Sequence, residues 1–85
     1  MKLAGKLVKG TKIIREAAVE KNDEGLSFRD MLEQCLIELC RDLDIQVPLW
    51  LDKNTTEFGR FRVTFFSREQ FLERVSFDKF EIRLV

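Results

Sequence analysis

The clearest hydrophobic pattern in the chain lies between residues 26 and 43, LSFRDMLEQCLIELCRDL. Its apolar residues recur at the i, i+3, i+4, i+7 spacing of one helical face: Phe28, Met31, Leu32, Cys35, Leu36, Leu39 and Leu43. Ser27 precedes them as a helix N-cap, with Asp30 at capping-box spacing. The pattern predicts a central amphipathic helix whose apolar stripe packs against the rest of the chain. Ile37 lies on the opposite side, either as an ordinary exposed residue or as a contact for a partner.

The two ends of the chain alternate with the period of β-strands. Residues 2 to 20 are typical of a β-hairpin with Gly10-Thr11 as its two-residue turn, and Gly at the first turn position favours type II′. Between residues 77 and 85, apolar and charged positions alternate, with the apolar set formed by Phe80, Ile82 and Leu84. We expect this last strand to pair with the hairpin and close the sheet.

The turn implies a register for the hairpin. It pairs Leu7 with Ile14 on the apolar face and places Lys6 opposite Arg15 on the other. Like charges directly opposite each other are unfavourable, so that face would need water, an acidic neighbour or an anion. A shift of one residue would pair Lys6 with Ile14 instead, and the sequence leaves both registers open.

After the central helix, a second alternation predicts a short strand, with Ile45, Val47, Leu49 and Leu51 on one side. Pro48 would restrict this strand to a sheet edge or break it. Trp50 lies opposite the alternating set, where it is either covered by a later segment or exposed as an anchor for a partner. We expect it to be covered.

The segment from residue 54 to residue 66, NTTEFGRFRVTFF, carries two competing patterns. Asn54 and Glu57 have capping-box spacing, and a helical face would contain Phe58, Phe61 and Phe65. The same stretch also alternates like a strand. We favour a short helix over residues 55–63, followed by a two-turn helix over 67–75 that Ser67 and Gln70 would cap.

These elements predict a single α+β domain over residues 1–85, in the order β-β-α-β-α-α-β. The sheet is expected to be mostly antiparallel, formed by the N-terminal hairpin and the C-terminal strand. It would pack on the central amphipathic helix, with the short helices added around it.

Charge and cysteine content narrow the class of protein. Fifteen basic and fifteen acidic residues give zero net charge, so there is no general attraction to nucleic acid or to an anionic membrane. No apolar run approaches the ~20 residues of a membrane span, and Lys6 and Lys9 interrupt any secretory signal. Cys35 and Cys40 are too far apart along one helix for a disulfide, and we expect buried or half-buried thiols in a reducing cytoplasm.

The chain lacks several of the residue types that catalytic sites commonly use. The chain has no His and no Tyr, which removes the commonest general base and the commonest zinc ligand. The four glycines are scattered and form no phosphate-binding loop. We therefore expect no enzymatic activity, no cofactor, no catalytic residues and no metal site.

Basic residues interleaved with aromatics are the strongest chemical signal for a ligand. Arginines can hold phosphates while exposed aromatic rings stack on bases. The alternative function is therefore a nucleic-acid-associated protein that uses the basic hairpin and the Arg/Phe-rich segment 60–68, through Lys2, Lys6, Lys12, Arg15, Arg60, Arg62 and Arg68. This alternative requires those charges to converge on one face, whereas eight Phe residues are mostly needed for the core.

The segment Trp50 to Ile82, WLDKNTTEFGRFRVTFFSREQFLERVSFDKFEI, resembles small uncharacterised proteins of Gram-positive bacteria. The resemblance extends to the hairpin and the central helix. It implies a small, stand-alone intracellular protein and transfers no site residues.

Taken together, the sequence favours a small non-enzymatic module of the cytoplasm that binds another protein or itself, in the second case as a homodimer. Ile37 and Trp50 are the residues we expect at such a contact. No membrane partner is expected.

Overall fold

The computed structural model describes all 85 residues and has an α+β fold. Its elements are the strands β1 (Lys2–Lys9) and β2 (Lys12–Glu20), the helices α1 (Phe28–Asp42) and α2 (Asp52–Phe61), strand β3 (Val63–Ser67), a 3₁₀ turn (Arg68–Gln70) and strand β4 (Lys79–Leu84). The four strands lie in the order β2-β1-β4-β3, and every neighbouring pair is antiparallel. The predicted pairing of the last strand with the hairpin is confirmed, because β4 pairs with β1.

The two faces of the sheet differ because side chains alternate along each strand. One face packs against both helices and contributes Leu3, Leu7, Phe66, Phe80 and Ile82 to a single hydrophobic cluster. The opposite face, here called the open face, carries mainly charged and small side chains: Lys2, Ala4, Lys6, Glu16, Ala18, Glu20, Lys79, Glu81 and Arg83. Most apolar burial therefore lies on the helix side of the sheet, and Val8 is the buried apolar residue on the open face, beside Lys79.

The predicted hairpin and its turn are confirmed. Lys9 pairs with Lys12 across Gly10 and Thr11, and of the two turn residues only Gly10 has a positive φ, of 61°. That combination is the one a type II′ turn requires. Glycine is needed here because the first turn position lies in the left-handed region, which other residues rarely adopt.

Both predicted registers of the hairpin are wrong beyond the turn. A β-bulge at Ile14 inserts one residue into β2, so that Leu7 pairs with Arg15 and Lys6 pairs with Glu16. The bulge turns Arg15 toward the helices, where its Nη1 donates to the carbonyl oxygen of Leu43 at 2.6 Å. The bulge thereby places Lys6 opposite Glu16, which carries the opposite charge, and no longer opposite Arg15.

Helix α1 begins as predicted, with Ser27 Oγ accepting from the backbone N–H of Asp30 at 3.1 Å. Most of the predicted stripe is buried or half-buried, but Phe28 is 56% exposed because the first turn of the helix has few neighbours. Cys35 and Cys40, which we expected to be buried or half-buried, are both buried, and Cys40 is only 1% exposed. The chain folds back beside it, since Ile45 N donates to the carbonyl oxygen of Cys40 at 2.9 Å.

Three predictions for the middle of the chain need correction. The strand expected over residues 45–51 does not form, and this segment has no ladder partner. Helix α2 exists but begins and ends earlier than the predicted 55–63, because Arg62 adopts a left-handed φ of 59° and the chain then enters β3. The helix expected over 67–75 is only one 3₁₀ turn, although Ser67 N does donate to Gln70 Oε1 at 3.0 Å.

Candidate interaction surface

The connection between α1 and α2 alternates its side chains between the interior and solvent. Pro48 is buried, and the Trp50 ring packs with its centroid 6.0 Å from that of Phe58 and 5.7 Å from that of Phe66. The indole Nε1–H donates to Thr55 Oγ1 at 2.8 Å. The expectation that later segments cover Trp50 is confirmed, and most of its ring surface is committed to contacts within the chain.

The residues that alternate with Pro48 and Trp50 point the other way. Val47, Leu49 and Leu51 are 48%, 49% and 46% exposed, and they share one side of the segment, as the alternation predicted. Alternation shows which residues share a side but not which side is buried, and the large indole gains more from burial than the smaller aliphatic chains. Leu72, in the loop after the 3₁₀ turn, is 84% exposed. These four residues are called the apolar patch.

Hydrogen bonds hold the backbone beneath the apolar patch. Leu49 N donates to the carbonyl oxygen of Gln70 at 2.7 Å, and Gln70 Nε2 donates back to the carbonyl oxygen of Leu49 at 2.9 Å. This pairing places the loop that carries Leu72 beside Leu49. Two residues after Leu49, the N–H of Leu51 donates to Asn54 Oδ1 at 2.9 Å. The apolar side chains are thus presented from an ordered main chain.

A buried polar network anchors these bonds. Asn54 lies at its centre: its Nδ2 donates to Thr64 Oγ1 at 2.7 Å and to the carbonyl oxygen of Phe65 at 2.9 Å, and its Oδ1 also accepts from Gln70 Nε2 at 2.9 Å. Thr64 Oγ1 donates in turn to Glu57 Oε1 at 2.7 Å. Every buried side-chain polar atom of the protein has a partner. A fully satisfied network of this kind fixes one arrangement of its surroundings.

Sequence reasoning missed this network, although one signal for it was present. Asn54 was interpreted as a helix N-cap, but it lies inside α2 and its side chain reaches back to the N–H of Leu51, three residues earlier. That is the role of the third residue in a capping box. The capping-box spacing was therefore informative, but Asn54 is the third residue of the helix and not its N-cap.

A groove of about 470 Å³ adjoins the apolar patch where α1 ends. Ile45, Val75 and Phe77 supply its apolar lining, and its charged lining includes Arg41 and Glu73. Ile37 lies one helical turn before Arg41, on the same side of α1, and is 39% exposed. Ile37 therefore extends the same surface away from the groove.

The titrating groups with shifted pKa values lie outside the hollows of the surface. They are Cys35, Cys40, Glu69 and Asp78. None of them lines the groove, or the second hollow of about 430 Å³ on the open face around Ala4 and Ala18.

Both thiols are buried in the core beneath α1. Burial raises the pKa of Cys35, and it raises the pKa of Cys40 to about 12, from an ordinary value near 9. The raised pKa lowers the thiolate fraction of Cys40 at neutral pH by about a thousandfold. Since the thiolate is the reactive form of cysteine, this burial also lowers the reactivity of Cys40.

We expect neither cysteine to react with a thiol-specific reagent in the folded protein at pH 8. In denaturant both should react, because unfolding removes the desolvation that protects them. Absorbance of the released thiol dye would give both rates. Reaction of the folded protein at the rate of free cysteine would contradict the burial of Cys35 and Cys40.

The basic residues of the nucleic-acid alternative are distributed over several surfaces. Lys2 and Lys6 lie on the open face opposite Glu20 and Glu16, and Lys6 Nζ is 3.2 Å from a carboxylate oxygen of Glu81. Acidic side chains therefore interrupt any basic strip along this face.

The other basic residues lie elsewhere. Lys12 is next to the hairpin turn, Arg15 faces the helices, and Arg60 and Arg62 lie where α2 ends. Arg68 forms an ion pair with Asp78. The seven basic residues thus lie on the open face, beside the hairpin turn, on the helix side of the sheet and at both ends of β3.

No helix combines the length and the apolar character needed to cross a bilayer. No protein-family model, curated protein or solved structure matches the chain.

Proposed function

We propose that the protein is a non-enzymatic module that associates with a second copy of itself through the apolar patch. The observation that carries the proposal is that Val47, Leu49 and Leu51 face solvent from a main chain held by partly buried hydrogen bonds. A surface that is already ordered loses little conformational entropy when it binds. Clustered exposed aliphatic side chains are also typical of interaction sites.

Two properties of the chain favour a second copy as the occupant. The formal net charge is zero, so no long-range repulsion opposes the approach of two copies. A chain of 85 residues also buries a small share of its surface, and association adds stability by mass action.

A symmetric dimer would place the apolar patch of one protomer against that of its partner. Stable interfaces bury about 1,200–2,000 Å² in total, which is more than a few aliphatic side chains supply. The interface would therefore extend into the groove beside Ile45 and Val75 and toward Ile37. Ile37 remains a proposed contact, whereas Trp50 supports the interface from below.

The two free buried thiols support a reducing compartment, and we place the module in the cytoplasm on that ground.

Sedimentation velocity over a range of concentrations tests the proposal. We expect the wild type to dimerise and Leu49→Asp to sediment as a monomer at the same concentrations, because a desolvated carboxylate opposes an apolar interface. The unfolding temperature should change little at low concentration, since the side chain of Leu49 is half exposed.

Phe28→Asp is the matched control, because Phe28 is also an exposed apolar residue but lies at the far end of α1. This variant should dimerise like the wild type. A monomeric wild type at every concentration, or a Leu49→Asp variant that still dimerises, would overturn the proposal.

A further inference from the structure

Strand β2 forms a free edge of the sheet. Met1 and Lys21 exchange two backbone hydrogen bonds of 2.8 Å, which identifies them as a hydrogen-bonded pair at the end of the β1–β2 ladder. Bonded and non-bonded pairs alternate along an antiparallel ladder. The residues that direct their backbone N–H and C=O groups away from β1 are therefore Glu16, Ala18 and Glu20.

The opposite edge of the sheet is protected. There the carbonyl oxygen of Phe65 in β3 accepts from Asn54 Nδ2, so α2 covers the edge. No hydrogen bond is made by the outer side of β2, and the bulge at Ile14 limits its regular part to residues 15–20. An exposed strand edge of this length can accept one additional strand.

Two acidic side chains flank this edge without a partner. Glu16 and Glu20 are four residues apart on one strand, so both project from the open face. Both side chains are exposed, and neither carboxylate forms an ion pair. Lys6, which lies opposite Glu16, is bound to Glu81 instead. A strand added here would meet negative charge at two defined positions.

We propose that the β2 edge binds an extended segment of another protein that carries basic residues at positions i and i+4. Strand β1 shows the required pattern on the other side of β2, because Lys2 lies opposite Glu20 and Lys6 lies opposite Glu16. The residue between the two basic positions should be small, as Ala4 is in β1.

A second copy of the chain is a poorer occupant of this edge. Symmetric pairing of two β2 strands about Ala18 would place Glu16 opposite the partner's Glu20, and like charges in that position are unfavourable. The β2 edge therefore differs from the apolar patch both in location and in the kind of partner it fits.

The probe is a fluorescein-labelled, end-capped peptide with the sequence of Lys2–Lys9, KLAGKLVK, added to the full chain and followed by fluorescence anisotropy. We expect saturable binding that weakens with salt. A control peptide with both Lys2 and Lys6 positions changed to Glu should bind at least tenfold more weakly. The Glu16→Lys, Glu20→Lys double variant should reverse that preference. Absence of binding, or equal affinity for both peptides, would overturn the proposal.

Amide hydrogen exchange locates the bound peptide and does not depend on a variant. Protection should appear at Glu16, Ala18 and Glu20, while Ala17 and Val19 stay protected by β1 throughout. Binding without new protection at these three amides would show that the peptide lies elsewhere or displaces β1, and would overturn the proposal.

Leu49→Asp should bind the peptide as the wild type does, because the two sites lie on different elements. The failure of self-association and the failure of peptide binding are thus separate results. Either proposal can be rejected while the other stands.

Discussion

Gly5→Ala should lower the free energy of unfolding by about 2–3 kcal/mol, although it adds a single methyl group. A Cβ atom at this position would lie 2.7 Å from Leu39 Cδ2 and 2.9 Å from Phe80 Cε1. Both of those side chains are fully buried, so neither can withdraw without disturbing the core. Glycine is required here because α1 crosses the sheet in direct contact with β1. Urea unfolding followed by Trp50 fluorescence measures the loss.

Gly59→Ala is the matched control. Gly59 lies in α2 with no atom within 4 Å of the added Cβ, so the same substitution should stabilise the protein by about 0.5–1 kcal/mol through helix propensity. The two identical changes are expected to have opposite signs. A Gly5→Ala variant as stable as the wild type would contradict the close packing of α1 on β1.

The clash with Leu39 can be isolated by a double-mutant cycle. Leu39→Ala alone should cost about 2–5 kcal/mol, because it opens a cavity in the core. Combined with Gly5→Ala, the cost should fall short of the sum by more than about 1 kcal/mol, since the new methyl group occupies part of that cavity. Strict additivity would place the strain of Gly5→Ala elsewhere.

Asn54→Leu should destabilise the fold by about 3 kcal/mol, even though leucine has the same number and branching of side-chain heavy atoms as asparagine. The substitution leaves the partly buried N–H of Leu51 and carbonyl oxygen of Phe65 without their partners, and Gln70 Nε2 loses one of its two acceptors. Each buried polar group left unpaired costs about 1–3 kcal/mol. Chemical denaturation at a fixed low protein concentration separates this loss from any effect on association.

Thr56→Ala is the control for this substitution, because Thr56 is exposed on the same helix and should change stability by less than about 0.5 kcal/mol. Amide exchange gives a second measurement. In Asn54→Leu, the amides of Leu49 and Leu51 should lose protection more than those of the β1–β4 ladder. Uniform protection with unchanged stability would show that the network does not hold the segment beneath the apolar patch.

The parts of the fold that local chemistry determines could be predicted from the sequence. Ser27 marks the start of α1 because its hydroxyl satisfies a backbone N–H within the first turn. Gly10 marks the hairpin because the turn needs a positive φ there. The apolar alternation of β4 identifies a strand with one buried face. Each of these signals lies within a few residues of the feature it predicts.

The errors arose where distant residues decide the outcome. The bulge at Ile14 is favoured by the charges that it brings opposite each other across two strands, which no local pattern shows. Trp50 faces inward because Phe58 and Phe66 lie there, and this leaves Leu49 in solvent. The helix predicted over 67–75 stops after one turn because Gln70 enters the buried network and Phe71 packs on Phe77, with ring centroids 5.3 Å apart. The alternation over residues 45–51 therefore could not predict that the side carrying Val47, Leu49 and Leu51 faces solvent.

The position of β1 between β2 and β4 has a consequence for how the chain folds. The hairpin can form as soon as its own residues are available, since its turn closes a very short loop. The other side of β1 pairs Gly5 with Ile82, so it stays unpaired until Ile82 has left the ribosome. Closing so long a loop slows folding, because its entropic cost comes before the contacts that reward it. During synthesis, the nascent hairpin therefore leaves one edge of β1 unpaired until β4 emerges.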